Sequence, residues 1–224
     1  MTAVAERVKS NPDANSPAAE TVGDLLKRLG GISPDRVRLR PAPGTATVAD
    51  VVAIEAKENR LFELLDGVLV EKCMGYRESI LAARILIALG IWVQPRKLGE
   101  LSGADGMMRL FPGLVRIPDV AFVSWARFPG GKVSDDAVPQ LVPDLAVEVL
   151  SESNTEAEMK RKLGEYFQAG VRLVWMVDGK ARTVKVYTGP EEFVLLGEEQ
   201  VLDGGAVLPG FMLGLKELFG GARK

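Results

Sequence analysis

The chain has 224 residues, of which 47% are hydrophobic and 26% are charged, and its formal net charge is −2. This composition is typical of a soluble globular protein with one domain and a tail, or at most two small domains. The slightly acidic balance gives no overall attraction to nucleic acid, so binding to nucleic acid would need a local basic surface.

The side-chain inventory excludes several kinds of catalysis. The sequence contains no histidine and one cysteine, Cys73. Ser/His and Cys/His catalysis and histidine-ligated zinc are therefore excluded, and so is an internal disulfide. Cys73 lies in an apolar-flanked segment and is interpreted as a small core or near-surface residue. Any catalysis has to use carboxylates, lysine, serine or tyrosine, together with an added metal.

No stretch of the sequence predicts membrane insertion. The N-terminus lacks the apolar core of a signal peptide, and the longest apolar stretch, Ile85 to Val93, is interrupted by Gly90. That stretch is too short to span a bilayer. We therefore expect a cytoplasmic protein.

The first 46 residues are predicted to be an N-terminal tail. Residues 1–20 are polar and rich in Ala, Asn, Ser and Pro, which favours disorder. Residues 21–29 could form a short helix, because they begin with a capping-box pattern and two glycines follow them. Thr47 opens a second capping pattern, and we place the folded domain at residues 47–224.

From residue 61 onward the chain alternates between strand and helix patterns. Residues 61–72 predict a β-hairpin with Asp66-Gly67 as its turn. Residues 78–93 are apolar nearly all round, which is typical of a helix buried against a sheet. Asn154 is the predicted N-cap of a helix over residues 155–169. Further strand segments are predicted at residues 100–110, 117–125, 145–150, 171–177, 183–187, 193–196 and 200–202, followed by a short helix at 215–219.

This order of elements sets the expected fold. From residue 78 to residue 177 the chain runs helix, three strands, helix, strand. We therefore predict an α/β domain in which a mixed central sheet is flanked by helices, with additional β-hairpins at both ends.

The strand at residues 145–150 contains a charge that needs an explanation. From Leu145 to Ser151, Glu148 is the one charged residue of an apolar run, which predicts a strand buried on both faces. Burying an ionised carboxylate without a partner is strongly unfavourable. Glu148 must therefore be paired, protonated or bound to a cation.

A second carboxylate occurs in a matching context. Asp119 follows Pro118 at the start of the preceding strand, whereas Glu148 lies near the end of its own. If the two strands are neighbours, both side chains can reach one site, and two adjacent carboxylates cannot both stay ionised without a cation. A ligand set made only of oxygen atoms favours Mg²⁺ or Mn²⁺.

The helix that follows Glu148 offers positive charge. With about 100° per residue, Lys162 lies beside the predicted buried face of that helix and can reach Glu148. Next to a metal it could stabilise negative charge that develops during catalysis. The residues by themselves leave a second interpretation open, in which Glu148 and Lys162 form a buried ion pair and Asp119 caps a turn.

Around these residues the chain resembles a known family. Six segments are similar in residue type and order to the Uma-two family of restriction endonucleases, a branch of the PD-(D/E)XK nuclease superfamily. They are residues 118–123, 143–151, 162–166, 169–178, 62–67 and 208–211. The resemblance extends over about residues 47 to 219.

The resemblance implies a restriction-endonuclease-like core that hydrolyses phosphodiester bonds in DNA with Mg²⁺ or Mn²⁺. It implies that Asp119 and Glu148 are metal ligands, assisted by the backbone carbonyl of Val149. The superfamily's usual lysine lies two residues after the glutamate, where this chain has Leu150. We therefore assign the lysine role to Lys162.

Two other positions complicate the resemblance. Family members often carry a histidine just before the first core helix, but this region reads Tyr76-Arg77-Glu78, and Glu78 could replace the histidine. Glu63 could add a further carboxylate, although a solvent-facing position in the hairpin is the stronger expectation.

Three functions are compatible with these observations. The first is a metal-dependent endonuclease that acts on DNA, with Asp119, Glu148 and Lys162 as its catalytic residues. The second is a catalytically inactive nuclease fold that serves as a binding or assembly module, which the acidic pI, the missing histidine and the displaced lysine favour. The third is a hydrolase for a small substrate, because no DNA-recognition motif is visible. Cleaving both DNA strands usually needs two active sites, which would favour a homodimer.

Overall fold

A computed structural model of the chain describes residues 19–220, which form thirteen strands and five α-helices. The helices are α1 (Val22–Arg28), α2 (Val48–Glu58), α3 (Tyr76–Arg96), α4 (Glu156–Ala169) and α5 (Leu215–Leu218). The strands are β1 (Val37–Arg38), β2 (Phe62–Leu65), β3 (Val68–Glu71), β4 (Gly99–Ser102), β5 (Met108–Phe111), β6 (Leu114–Arg116), β7 (Val120–Ser124), β8 (Leu145–Leu150), β9 (Leu173–Asp178), β10 (Thr183–Tyr187), β11 (Phe193–Gly197), β12 (Val201–Gly204) and β13 (Leu208–Gly214).

The centre of the molecule is a six-stranded sheet with strand order β11-β10-β9-β8-β7-β4. β8 and β9 are parallel, and the other neighbours in this sheet are antiparallel. In chain order the core runs α3, β4, β7, β8, α4, β9, which is the predicted sequence of helix, three strands, helix and strand. The mixed α/β fold with a restriction-endonuclease-like core is therefore confirmed.

The alternation of side chains along β8 divides the core into two parts. Leu145, Val147 and Val149 belong to the hydrophobic cluster that contains α3, whereas Ala146 and Leu150 pack with the cluster that contains α4. Because successive side chains of a strand point to opposite faces, Glu148 shares the α4 face with Ala146 and Leu150. The sheet is thus covered by a helix on each face, and Glu148 lies beneath α4.

The helix α3 is longer and less completely buried than its composition predicts. Its buried side chains form one stripe that includes Ile85 and Leu89, while Ile87 and Ile91 are 62% and 72% exposed. The helix is therefore buried along this one stripe, and the prediction that it packs against a sheet is confirmed. By length and composition α3 could cross a membrane, a criterion that core helices of soluble proteins also meet. In this fold it packs against β4, β8 and β13.

A second sheet has the strand order β1-β3-β2-β6-β5 and holds the predicted hairpin. β2 and β3 pair across Asp66 and Gly67, which both have positive φ values, 51° and 74°. Such a turn suits the twist of a two-residue hairpin, and Asp-Gly is a favoured sequence for it. The hairpin prediction is confirmed.

Part of the predicted N-terminal tail is folded onto this sheet. β1 pairs with β3, Leu25 and Leu29 are buried in the α4-side cluster, and Arg36 forms a buried ion pair with Glu158 at 2.8 Å. The folded unit therefore begins before residue 47. The predicted short helix is α1, with Thr21 as its N-cap. The predicted disorder of residues 1–18 lies outside the described residues.

The N-cap of α4 is Thr155 and not Asn154, as the sequence predicted. The N–H of Glu158 donates to Thr155 Oγ1 at 3.0 Å, and the Thr155 hydroxyl donates to the carbonyl of Gly30 at 2.5 Å. Asn154 instead accepts a hydrogen bond from the N–H of Ser151 at 2.9 Å. Both residue types can cap a helix, so the contact with Gly30, which comes from distant sequence, decides between them.

Asp144 fixes the entry of β8. Its Oδ2 accepts a hydrogen bond from the N–H of Ser124 at 2.8 Å, and its Oδ1 lies 3.2 Å from Arg127 Nε and 3.4 Å from Arg172 Nε. Burial alone would raise the pKa of Asp144, but the Ser124 hydrogen bonds and the two arginines hold it below its ordinary value. These contacts hold Asp144 in place at the start of β8.

We expect Asp144→Asn to lower the free energy of unfolding by about 1–3 kcal/mol at pH 7, because the charged acceptor is lost. The pKa of Asp144 is lower in the folded protein than in the unfolded chain, where it is about 4. The ionised carboxylate therefore stabilises the fold fully above a pH of about 4. This stabilisation is lost as the pH falls through the pKa of the folded protein. The difference between wild type and variant should therefore shrink in acid. Urea titrations at a series of pH values measure it, and a difference independent of pH would contradict the prediction.

Candidate functional site

Asp119 and Glu148 lie opposite each other on neighbouring strands. β7 and β8 are antiparallel with Val120 opposite Val147, so the preceding Asp119 stands opposite the following Glu148. The N–H of Asp119 donates to the carbonyl of Val147 at 2.9 Å and extends this pairing by one step. Both side chains face α4, and each residue is 4% exposed. The structure thus brings together the two carboxylates that the sequence singles out.

One ammonium group reaches both carboxylates. Lys72 Nζ lies 2.5 Å from Asp119 Oδ1, 2.7 Å from the carbonyl oxygen of Ile117 and 3.9 Å from Glu148 Oε2. Lys72 directly follows β3, which is a strand of the five-stranded sheet, whereas Glu148 lies on the six-stranded sheet and Asp119 directly precedes its strand β7. Its contacts therefore join the two sheets. Its side chain is 8% exposed, so this contact is made away from bulk water.

Two residues of α4 hold Glu148 from the other side. Lys162 Nζ lies 2.9 Å from Glu148 Oε2, and the hydroxyl of Tyr166 donates to Glu148 Oε1 at 2.5 Å. Lys162 and Tyr166 are one helical turn apart, so both point to the same place. The predicted reach of Lys162 from the helix to Glu148 is what the structure shows.

Glu63 belongs to this cluster and is not solvent-facing, so the expectation of an exposed hairpin position is wrong. It is 1% exposed, and its carboxylate lies 2.6 Å from Arg116 Nη1 and 3.2 Å from Lys162 Nζ. It also accepts a hydrogen bond from the N–H of Ile117 at 3.2 Å. Arg116 pairs in addition with Glu165 of α4. The hairpin is covered by α4 and by β6, which is why its glutamate is buried.

The charges in the cluster shift one another's pKa values. Burial raises the pKa of Asp119 above its ordinary value; Lys72 opposes this shift and the nearby charge of Glu148 adds to it. Burial alone would lower the pKa of Lys162, but Glu148 and Glu63 raise it above its ordinary value. Burial, followed by the charge of Glu148, raises the pKa of Tyr166 well above its ordinary value. Lys162 therefore stays charged and Tyr166 stays a neutral hydrogen-bond donor at neutral pH.

Asp119 and Glu148 form a suitable donor set for a small divalent cation. Mg²⁺ is commonly bound through one or two carboxylates, with water and substrate phosphate supplying the remaining oxygens. Val149, whose carbonyl the family resemblance adds to the set, is next to Glu148, and its N–H donates to Asp119 Oδ2 at 2.6 Å. Within residues 19–220 no group of three or more Asp, Glu, Cys or His side chains is arranged to hold a metal ion. Asp119 and Glu148 are therefore the candidate side-chain ligands of the site.

An open groove of about 1610 Å³ is lined by Leu150 and Ser151, which follow Val149 along the chain, but not by Asp119 or Glu148. Glu78, which the sequence suggests as a replacement for the family histidine, lines this groove from the first turn of α3. Leu150, at the superfamily's usual lysine position, lines it as well. Charged side chains of both signs surround the groove: Arg77, Arg84, Lys160, Lys180, Arg182 and Lys185, with Glu78, Glu152, Glu156, Asp178 and Glu191.

Three residues of the cluster escaped the sequence reasoning: Lys72, Arg116 and Tyr166. Lys72 ends a predicted hairpin, where a lysine is ordinarily solvated, and Arg116 lies in an ordinary strand-like segment. For Tyr166 a signal was present, because it lies four residues after Lys162 on the same helical face. Nothing local distinguishes the other two, since their partners are distant in sequence.

Comparisons with known proteins show the family to which the chain belongs. The family model of Uma2 (Uma-two), described as "Putative restriction endonuclease", matches residues 48–216. The chain belongs to this family. The predicted resemblance is thereby confirmed.

The fold of the family member also resembles a solved structure. A crystal structure described as a putative nuclease belonging to DUF820, from Anabaena variabilis ATCC 29413, aligns with a TM-score of 0.63 and 19% identity. The alignment covers 71% of this chain and 89% of that one. At this identity the likeness supports the shared fold. No curated protein matches the chain.

We expect Lys162→Met to lower the free energy of unfolding by about 3–5 kcal/mol, because it leaves Glu148 and Glu63 without their shared cation. Glu148→Gln should lower the free energy of unfolding by less, because Lys162 still pairs with Glu63. In the double variant the two costs should fall short of additivity by about 0.5–3 kcal/mol, as for residues in direct contact. Urea unfolding of the four proteins measures this coupling, and additive costs would show that the pair does not interact.

Proposed function

We propose that this protein is an endonuclease that hydrolyses phosphodiester bonds in DNA with Mg²⁺ or Mn²⁺. The observation that carries the proposal is the pair Asp119 and Glu148, buried side by side on adjacent strands of a nuclease-family fold. A chain without histidine needs an added cation to run this hydrolysis at neutral pH, and the pair supplies hard oxygen ligands for one.

In this proposal each residue of the site has a distinct task. Asp119, Glu148 and the carbonyl of Val149 hold the cation. Tyr166 and Lys162 fix the orientation of Glu148 through hydrogen bonds of 2.5 and 2.9 Å. When bound, the cation supplies Lewis-acid stabilisation of the phosphate and activation of water.

A nuclease of net charge −2 must still bind the negatively charged backbone of DNA. The groove lined by Leu150 and Ser151, the residues that follow Val149, carries six lysine and arginine side chains among its acidic ones. Two of these cations are paired within the groove, Lys160 with Glu191 at 3.1 Å and Lys180 with Glu152 at 3.2 Å. We therefore expect weak, strongly salt-dependent binding of DNA backbone along this groove.

The proposal predicts Mg²⁺- or Mn²⁺-dependent nicking of supercoiled plasmid DNA. Asp119→Asn and Glu148→Gln should each reduce the nicking rate by about a hundredfold or more, because a cation ligand is lost. Gel assays with purified protein measure the rate, and circular dichroism verifies that each variant is folded.

Asp144→Asn is the matched control for this experiment. Asp144 also follows a proline at the entry of a core strand, but it pairs with Arg127 and Arg172 outside the site. The control should retain most of the activity at a temperature where it is folded. If wild type and variants are equally inert with both metals on supercoiled, linear and single-stranded DNA, the endonuclease proposal fails.

A second candidate function is an inactive nuclease fold that acts as a binding or assembly module. One observation favours it: the four carboxylate oxygens of Asp119 and Glu148 already have protein donors, namely Lys72, the N–H of Val149, Lys162 and Tyr166. Calorimetric titration of the wild-type protein with Mn²⁺ separates the two candidates. Binding at micromolar to millimolar Mn²⁺ that is lost in Asp119→Asn supports the endonuclease, and no heat of binding supports the module.

A further inference from the structure

Lys72 stands where a cation bound by the two carboxylates would stand. Its ammonium lies 2.5 Å from Asp119 Oδ1 and 2.7 Å from the Ile117 carbonyl oxygen, with Glu148 Oε2 at 3.9 Å. Divalent cations bind carboxylate oxygens at about 2.0–2.6 Å. An ammonium and a divalent ion cannot both lie this close to the same oxygen, because their mutual repulsion is strong where water is excluded.

The protein's own charges already balance the cluster. Four carboxylates, those of Glu63, Asp119, Glu148 and Glu165, face the four cations of Lys72, Lys162, Arg116 and Arg161. Adding a divalent ion to this arrangement would leave an excess of buried positive charge, which is costly. Binding is favourable only if one of the resident cations moves away.

Lys72 is the resident cation with a single close carboxylate partner, Asp119 at 2.5 Å. Lys162 is held by two carboxylates, Glu148 and Glu63, and comes from the middle of α4, while Arg116 is 1% exposed and pairs with two glutamates. Lys72 contributes an unbranched side chain from the end of β3, where the short connection to α3 begins. The next residue in that connection, Cys73, is exposed, so solvent lies close by.

We propose that Lys72 is an internal counter-ion that competes with the divalent cation for Asp119 and Glu148. With the ammonium in place the two carboxylates are neutralised, and the site is closed to metal. When the ammonium swings out, its charge leaves Asp119 and a divalent ion takes its position. Lys72 thereby sets the metal concentration at which the site fills; this inference rests on the proposed metal site.

The test is a calorimetric titration with Mn²⁺ of the wild-type protein and of Lys72→Gln. Glutamine keeps hydrogen-bond donors for Asp119 and Ile117 but removes the charge, so Mn²⁺ should bind about tenfold more tightly or better. Lys72→Arg keeps the charge and should bind no more tightly than wild type. Lys72→Met is a second neutral variant, and it serves if Lys72→Gln does not fold.

Two controls locate the effect. Lys216→Gln removes a 64% exposed lysine that pairs with Glu199 outside both the cluster and the groove, and its Mn²⁺ affinity should equal that of wild type. Adding Asp119→Asn to Lys72→Gln should abolish the gain, because the proposed ligand is lost. Thermal unfolding gives an independent readout: a given Mn²⁺ concentration should raise the melting temperature of Lys72→Gln more than that of wild type.

The outcomes separate this inference from the proposed function. Equal or weaker Mn²⁺ binding by the neutral variants overturns the role of Lys72, even if the wild type cuts DNA. Tighter binding by the neutral variants, lost on Asp119→Asn, supports it even if no protein cuts DNA. If neither the wild type nor a neutral variant binds Mn²⁺, the competition and the metal-dependent endonuclease are both overturned.

Discussion

The constraint on which the structure depends is the burial of two carboxylates in the middle of a sheet. Asp119 and Glu148 are each 4% exposed, and an unpaired ionised carboxylate at such a place is strongly unfavourable. Two lysines from different elements neutralise these carboxylates: Lys162 of α4 pairs with Glu148, and Lys72 at the end of the hairpin pairs with Asp119. The ion pair between Lys72 and Asp119 therefore helps to fix the position of the five-stranded sheet against the six-stranded one.

The same charges connect parts of the chain that a purely apolar core would leave independent. Arg116 of β6 joins Glu63 of the hairpin to Glu165 of α4, and Arg36 joins the N-terminal segment to Glu158 of the same helix. Buried ion pairs add little net stability compared with apolar packing, but breaking one of them is costly. Such a network fixes how the helix, the hairpin and the N-terminal segment lie relative to one another, more than it raises overall stability.

The nuclease proposal and the competition by Lys72 concern the same atoms. A cluster that is neutral without metal is stable as folded protein, whereas a cluster with an excess of negative charge would bind a cation more readily at a cost in stability. In this member of the Uma2 family Lys72 at the end of β3 and Lys162 of α4 supply the positive charge that neutralises the two carboxylates. If the proposed function holds, these two lysines link the stability of the metal-free protein to its affinity for a cation.

The sequence by itself determined the elements whose signals are local and the site residues that stand out from their surroundings. The Asp66-Gly67 hairpin, the order of strands and helices, and Glu148 in its apolar run follow from patterns of a few residues, and Lys162 follows from helical spacing. Only the tertiary structure decided that Glu63 is buried, that residues 22–38 pack onto the domain, and that Lys72 occupies the site. Lys72 and Asp119 are 47 positions apart, and Arg36 and Glu158 are 122 apart. No local pattern records such contacts, because they arise where two sheets and a helix meet, and that meeting depends on the packing of the whole core.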